Sequence, residues 1–180
     1  MDRMLIIVSR YSRNPNDPWD FVTELSEWVK RKGYVVSIIR PHDYNLKIEE
    51  NINGIMVYRF PYFFPFRYQK VGYGLGILDN IKKFPFAILQ VPFFILFELI
   101  YVIKVVIKTK SNIIHSHWIV PQGFIGAICS KLFRIQHIST IHGSDINMIK
   151  KNWVLKKICR FIVNNTNYIT VNSTFTKNLF

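Results

Sequence analysis

STIHGSDIN, from Ser139 to Asn147, is a short β-branched run that breaks into His-Gly-Ser-Asp. In an α/β sheet, a polar tetrapeptide at the carboxyl end of a strand is where ligands are met. Upstream, IIHSHWIVPQG repeats the arrangement from Ile113 to Gly123. Two strands ending in histidine-bearing loops point to one shared site, and the rest of the chain reads as the sheet that places them.

Outward from these motifs, apolar runs and amphipathic segments alternate. Residues 4–9, 34–40, 54–60, 112–117, 135–142 and 167–171 read as six strands, most of them apolar enough for burial on both faces. Phe21, Val22, Leu25, Trp28 and Val29 recur at helical spacing, with Asp17 as an N-cap, Pro18 at the first helical position and Gly33 as the stop. Further helices are expected from about Phe93 to Thr109, over 122–133 and over 150–163, with another beginning after residue 171. Residues 43–53 read as loop, and 61–76, dense in aromatics, Pro and Gly, as an irregular excursion. The expected fold is α/β: a Rossmann-like, doubly wound parallel sheet with helices on both faces.

The length suits one domain spanning residues 1–180, with a real core. Charge is lopsided, 24 Lys and Arg against 11 Asp and Glu, which suits a polyanion, an anionic membrane or a phosphorylated ligand. No helix-turn-helix, RNP or zinc-finger pattern supports nucleic acid as a partner. Cys129 and Cys159 lack CxxC spacing and read as reduced core residues of a cytoplasmic protein. The apolar core of the N-terminus, Met4 to Val8, is too short for a signal peptide. Phe84 to Ile103 is long enough to cross a bilayer, but Pro85, Gln90, Pro92 and Glu98 interrupt it, and a mostly buried or interfacial helix is the expectation.

His115 and His117 share a face of their strand. His115 reads as a satisfied core histidine, while His117 and Trp118 at the strand end line a pocket. Pro121, Gln122 and Gly123 start the next helix, with N–H groups pointing toward the same crevice. A metal would need more ligands than His142 and Asp145 add, so no metal is expected. Gly143 lets the chain turn and approach a ligand; Ser144 or Asp145 can cap a helix, leaving His142 to hydrogen-bond a ligand. A helix cap alone is the alternative for this tetrapeptide. The loop before the first helix, with Asn16, Asp17 and Asp20, faces an anion site by geometry but lacks glycine, and an ordinary capped turn is its alternative.

The ordered set IIHSHWIVPQG, ISTIHGSDIN and NYITVNSTFTKNL, with the opening YSRNPNDPWDFVTELSEWVKRKGYVVSIIRP, resembles the N-terminal half of a glycosyltransferase family 4 enzyme. The resemblance implies one half of a GT-B fold, with acceptor held mainly by this half and a nucleotide-sugar donor mainly by a second Rossmann-like domain. It implies retaining transfer to a glycan or lipid-linked acceptor, with no cofactor and no metal. By position, His142 would act as the catalytic group beside the donor sugar. Asn16, Asp17, Asp20, Gly143, Ser144 and Asp145 would approach the donor sugar and phosphates; His117, Trp118, Gln122 and Gly123 would lie on the acceptor side. The family's paired glutamates of the donor-binding C-terminal domain are absent from the 180 residues, so the chain alone is expected to be inactive. Two alternatives stand beside this: a non-catalytic, membrane-associated subunit of a split transferase, and a stand-alone nucleotide-binding module. Tyr62, Phe63, Phe64, Phe66, Tyr68 and Tyr73 with Arg67 and Lys70, and the basic helix with Lys150, Lys151, Lys156, Lys157 and Arg160, suit an anionic surface on the inner face of the plasma membrane.

Overall fold

The computed structural model describes residues 1–9, 21–72, 77–143, 149 and 152–179. Its strands are β1 (Arg3–Ile7), β2 (Val35–Pro41), β3 (Glu49–Ile52), β4 (Ile55–Phe60), β5 (Ile113–His117), β6 (Gln136–Ile141) and β7 (Tyr168–Val171). They form one sheet in the order β3-β4-β2-β1-β5-β6-β7. Every neighbouring pair runs parallel except β3 with β4 at the edge. The helices are α1 (Phe21–Arg31), α2 (Ile77–Lys83), α3 (Val91–Thr109), α4 (Phe124–Phe133), α5 (Trp153–Asn164) and α6 (Thr174–Leu179).

Alternation along each strand feeds two cores. Met4, Ile6, Val36, Ile38, Ile55 and Val57 pack with Val22 and Val29 of α1 on one face. Leu5, Ile7, Ile39, Tyr58 and Phe60 pack with Phe94, Val102 and Val105 of α3 and Ile125 and Cys129 of α4 on the other. A parallel sheet covered on both faces needs such near-continuous apolar strands. Gly33 closes α1 at φ 94°, a backbone conformation that suits glycine. From β1 the chain steps outward through β2 to β4, then returns to lay β5 on the other side of β1. The strand order therefore reverses between β1 and β5, and a crevice opens there beyond the carboxyl ends.

Three expectations need correction. Residues 43–53 are not all loop, because β3 forms a hairpin with β4. Its turn is Asn53-Gly54, both at positive φ (51° and 77°), the pairing that two-residue hairpin turns demand. Glu50 of this hairpin meets the wholly buried Arg59 at 2.8 Å. Second, α2 forms where no element was expected, and the stretch expected as one helix from Phe84 begins with a 3-10 turn, Pro85–Gln90, before α3. Third, Tyr62 does not face outward. It is buried with Phe60 and Phe94, with ring centroids 5.0 Å apart for Tyr62 and Phe94.

The 61–72 excursion is irregular, as expected, and buried amides pair its backbone. The Tyr62 N–H donates to Gln69 Oε1, that of Lys70 to Gln90 Oε1, and Gln90 Nε2 donates to the Tyr68 carbonyl. Buried peptide groups without secondary structure require such partners. The apolar stretch 84–103 is a layer of the fold, for Phe94, Glu98 and Val102 of α3 are fully buried toward the rest of the chain. Cys129 and Cys159 are buried and not joined in a disulfide.

Candidate functional site

Parallel register decides which side chains meet at the crevice. Ile6 pairs with His115, and His117 with Thr140. His115, His117, Thr140 and, two residues on, His142 therefore share the sheet face that carries Ile6 and α1. The ring centroids of His115 and His117 are 4.4 Å apart, and those of His117 and His142 5.8 Å apart. Phe21, the first residue of α1, closes on both, at 5.5 Å from His117 and 5.4 Å from His142. Trp118 stacks on His142 at 4.5 Å. The two histidine-tipped strand ends thus converge, together with the start of α1, at the β1/β5 reversal.

Backbone strain marks the same point. Trp118 stands at φ 70°, ψ 141°, unusual for a bulky residue. Such a conformation costs about 1–3 kcal/mol and persists only where the surroundings over-determine it. Here the Trp118 N–H donates to the Thr140 carbonyl at 3.0 Å, and its own carbonyl accepts from Gly123 N–H at 2.9 Å. The bend swings the indole off the strand and onto His142.

The histidines differ in how they are satisfied. His115 Nε2 meets Thr140 Oγ1 at 2.7 Å, and Thr140 in turn meets Thr170 Oγ1 at 2.7 Å, so His115 is the satisfied core residue expected. His117 is wholly buried, and among the described residues neither ring nitrogen has a hydrogen-bond partner. Burial holds its pKa down to about 2, helped by His115 and His142. Burial likewise lowers His115 to about 4, and lowers His142. The imidazoles are neutral at pH 7, donors and acceptors rather than cations.

The structure separates the other residues singled out from sequence. Gly143 lies beside the cluster, with Thr176 of α6 packed against it. Gln122 and Gly123 do not line an open cleft. Gln122 is buried and its Nε2 donates to Glu98 Oε1 at 3.3 Å, and Gly123 packs between the Trp118 carbonyl and Ser139. They belong to a kinked segment, Ile119–Gly123, in which Val120 is extended (φ −128°, ψ 128°), placed ahead of α4. Asn16, Asp17, Asp20, Ser144 and Asp145 lie outside the described residues. Among the described residues, no three His, Cys, Asp or Glu side chains are disposed to hold a metal ion.

Two buried groups on the other face of the sheet, against α3 and α4, were not singled out as site candidates from the sequence. Glu98 is fully buried in α3, and its Oε2 has no partner among the described residues. Desolvation raises its pKa to about 8, although the bond from Gln122 opposes the shift. The signal was a lone carboxylate in an apolar helix. His137, under α4, meets Ser116 Oγ at 2.8 Å and Thr166 Oγ1 at 2.9 Å. Only the fold brings those partners together.

Comparison with known proteins bears on the family and the fold. A 76-residue stretch is 34% identical to an uncharacterized glycosyltransferase of Methanocaldococcus jannaschii, covering 42% of this chain and 22% of that protein. Sucrose-phosphate synthase from Thermosynechococcus elongatus superposes with a TM-score of 0.65 at 14% identity, over 99% of this chain and 44% of its own. UDP-GlcNAc 2-epimerase from M. jannaschii superposes at 0.51 with 13% identity, over 99% and 41%. The two structural likenesses establish the fold alone, and the chain spans less than half the length of each of these relatives. The sequence profile of Glycosyltransferase Family 4 matches residues 20–180. Because that profile spans most of its length, the chain belongs to glycosyltransferase family 4.

Proposed function

We propose that the chain is the acceptor-side, N-terminal half of a retaining glycosyltransferase, moving a sugar from a nucleotide-sugar donor to a glycan or lipid-linked acceptor. The observation that carries this is the meeting of His117, Trp118, His142 and the start of α1 at the β1/β5 reversal. In this reading His142 hydrogen-bonds the donor sugar, and Trp118 offers an acceptor ring a flat apolar surface. A second Rossmann-like lobe carries the nucleotide, and these 180 residues alone do not turn over. No metal is called on, because helix N-termini and basic side chains can stabilise a leaving diphosphate. The strong positive charge supports a peripheral place on the cytoplasmic face of an anionic membrane, in polysaccharide synthesis.

The test joins the chain to the coding sequence that follows codon 180 and assays transfer from a panel of radiolabelled nucleotide sugars. Transfer by the joined protein and none by the 180 residues is the expected result. Turnover by the 180 residues alone would overturn the half-enzyme reading. Micromolar nucleotide binding by the 180 residues, with no transfer from the joined protein, would favour a stand-alone nucleotide-binding module.

A further inference from the structure

The face of α3 turned away from the sheet is as apolar as the face turned toward it. Phe86, Leu89, Phe93, Leu96 and Ile107 are 85%, 68%, 50%, 51% and 61% exposed. With the half-buried Ile100 and Ile103 they recur every three or four residues, one continuous stripe along the 3-10 turn and the helix. It lies opposite Glu98, which points into the fold. A surface helix in water shows a polar outer face, and one that is apolar all round is covered by something other than water. The apolar surface also continues inward, into a cavity of about 340 Å³ lined by Phe63, Phe64, Phe66, Phe93 and Phe97 among others.

The surrounding charge chooses the cover. Lys82 and Lys83 precede the stripe and are exposed, Lys104 stands on the helix, and Arg67 and Lys70 stand on the excursion beside the cavity. Lys70 and Lys83 sit over the Phe84 ring at 5.5 and 5.6 Å, and Lys104 over Tyr101 at 5.4 Å. Between residues 61 and 110 the only acids are Asp79, paired with Lys82, and the buried Glu98. A partner helix on a heptad seam is selected by charges flanking the seam. Here the flanks include Phe97 and Leu99, so the apolar face is too broad for such a seam. Aromatic and aliphatic side chains ringed by cations match the boundary between acyl chains and anionic headgroups.

We propose that this outward face of α3 is a monotopic docking surface for an anionic lipid bilayer, lying in the plane of the membrane while the opposite face stays packed on the sheet. The inference rests on the peripheral-membrane reading above and moves the main contact from the basic helix α5 to α3.

The test is co-sedimentation of the whole chain with vesicles of phosphatidylcholine, with and without one-third phosphatidylserine. The wild-type chain is expected to pellet with the anionic vesicles and to be released by salt. Phe93→Ser with Leu96→Ser, both at exposed positions, is expected to weaken binding at least tenfold with an unchanged circular dichroism spectrum. Lys156→Glu with Lys157→Glu on α5 is expected to weaken it less. If the wild-type chain pellets with neither vesicle, the docking proposal and the membrane reading fall together. If it binds but the α3 pair has no effect, the α3 assignment falls and the membrane reading stands. A stable dimer that the α3 pair converts to monomer would also overturn it, by assigning the face to a second copy. A spin label at Leu89→Cys gives an independent check. Vesicles should raise its accessibility to oxygen and lower that to a water-soluble nickel complex, and no change would count against docking.

Discussion

Replacing Glu98 by Gln should stabilise the fold, and by an amount that depends on pH. Glu98 is wholly buried, touches Gln122 at 3.3 Å and keeps Oε2 unpartnered. Its pKa rises from the usual 4.5 to about 8 in the folded chain. The acid is therefore protonated in the folded state over a range where the unfolded chain would ionise it. Its contribution is fully present below pH 4.5 and is lost as pH rises toward 8. Each pH unit in that window costs about 1.4 kcal/mol, so at pH 7 the wild-type chain gives up about 3 kcal/mol relative to the amide.

The histidines pull the other way. His115 and His137 are lowered to about 4, so their contribution is present above pH 6.5 and lost as pH falls. Both chains carry these histidines, so the difference between Glu98→Gln and wild type isolates the carboxyl. Gln brings one more N–H than the neutral acid has O–H, a constant cost of about 1 kcal/mol. The diagnostic is thus the slope and not the offset. Urea unfolding followed by far-ultraviolet circular dichroism at pH 5, 6, 7 and 8 measures it. The variant should gain on wild type by about 1.4 kcal/mol per unit from pH 5 to 7. A difference that stays flat with pH would refute the reasoning, because Glu98 would then titrate alike in both states.

Gly126→Ala should cost about 2–3 kcal/mol, because the added methyl runs into the His137 ring, which Ser116 and Thr166 hold from both sides; a thermal midpoint unchanged to within a degree would contradict this. Glu50→Ala should cost about 3 kcal/mol in urea, since it strips the carboxylate from the fully buried Arg59, while Arg59 retains only the Lys47 carbonyl at 2.7 Å as a described acceptor. His142→Ala in the joined two-lobe protein should lower turnover by about a hundredfold while costing about 1 kcal/mol of stability through the lost Trp118 stack; wild-type turnover would reduce His142 to a packing residue.

How much of this was legible beforehand follows from the range of the interactions. β1, β2 and β5 are buried on both faces, and the apolar runs of β1 and β2 announce them, whereas β6 is half-exposed on one face and alternates. β3 does not announce itself: Glu49, Glu50 and Asn51 pair with an edge and carry no apolar period, so only the Asn53-Gly54 turn betrays it. Tyr62 read as a surface aromatic because nothing local says that its hydroxyl accepts the Gly72 N–H or that Phe94 lies against its ring. The convergence of His117 and His142 could be inferred, since strand ends at a reversal of strand order must face one crevice. The inward turn of Gln122 could not, because its partner Glu98 lies a helix away and only packing brings them together.

The electrostatics of the crevice constrain the chemistry more tightly than the residue types do. A histidine beside a sugar diphosphate invites a role as a cation, but burial lowers the pKa of His115, His117 and His142 together. A charge on any one of them would be opposed by the low-dielectric surroundings and by its neighbours. The cluster is therefore suited to hydrogen bonding and shape, with the Trp118 stack fixing the ring plane of His142. In the proposed reading, positive potential for a leaving diphosphate would come from groups that carry it without titrating near neutrality, such as helix N-termini and basic residues of a second lobe. The unpartnered nitrogens of buried His117 fit the same account, since an imidazole left without partners costs stability unless a ligand or a closing segment supplies them. Under the proposed function, transfer would require both the acceptor and an opposing lobe to be in place before the donor bond breaks.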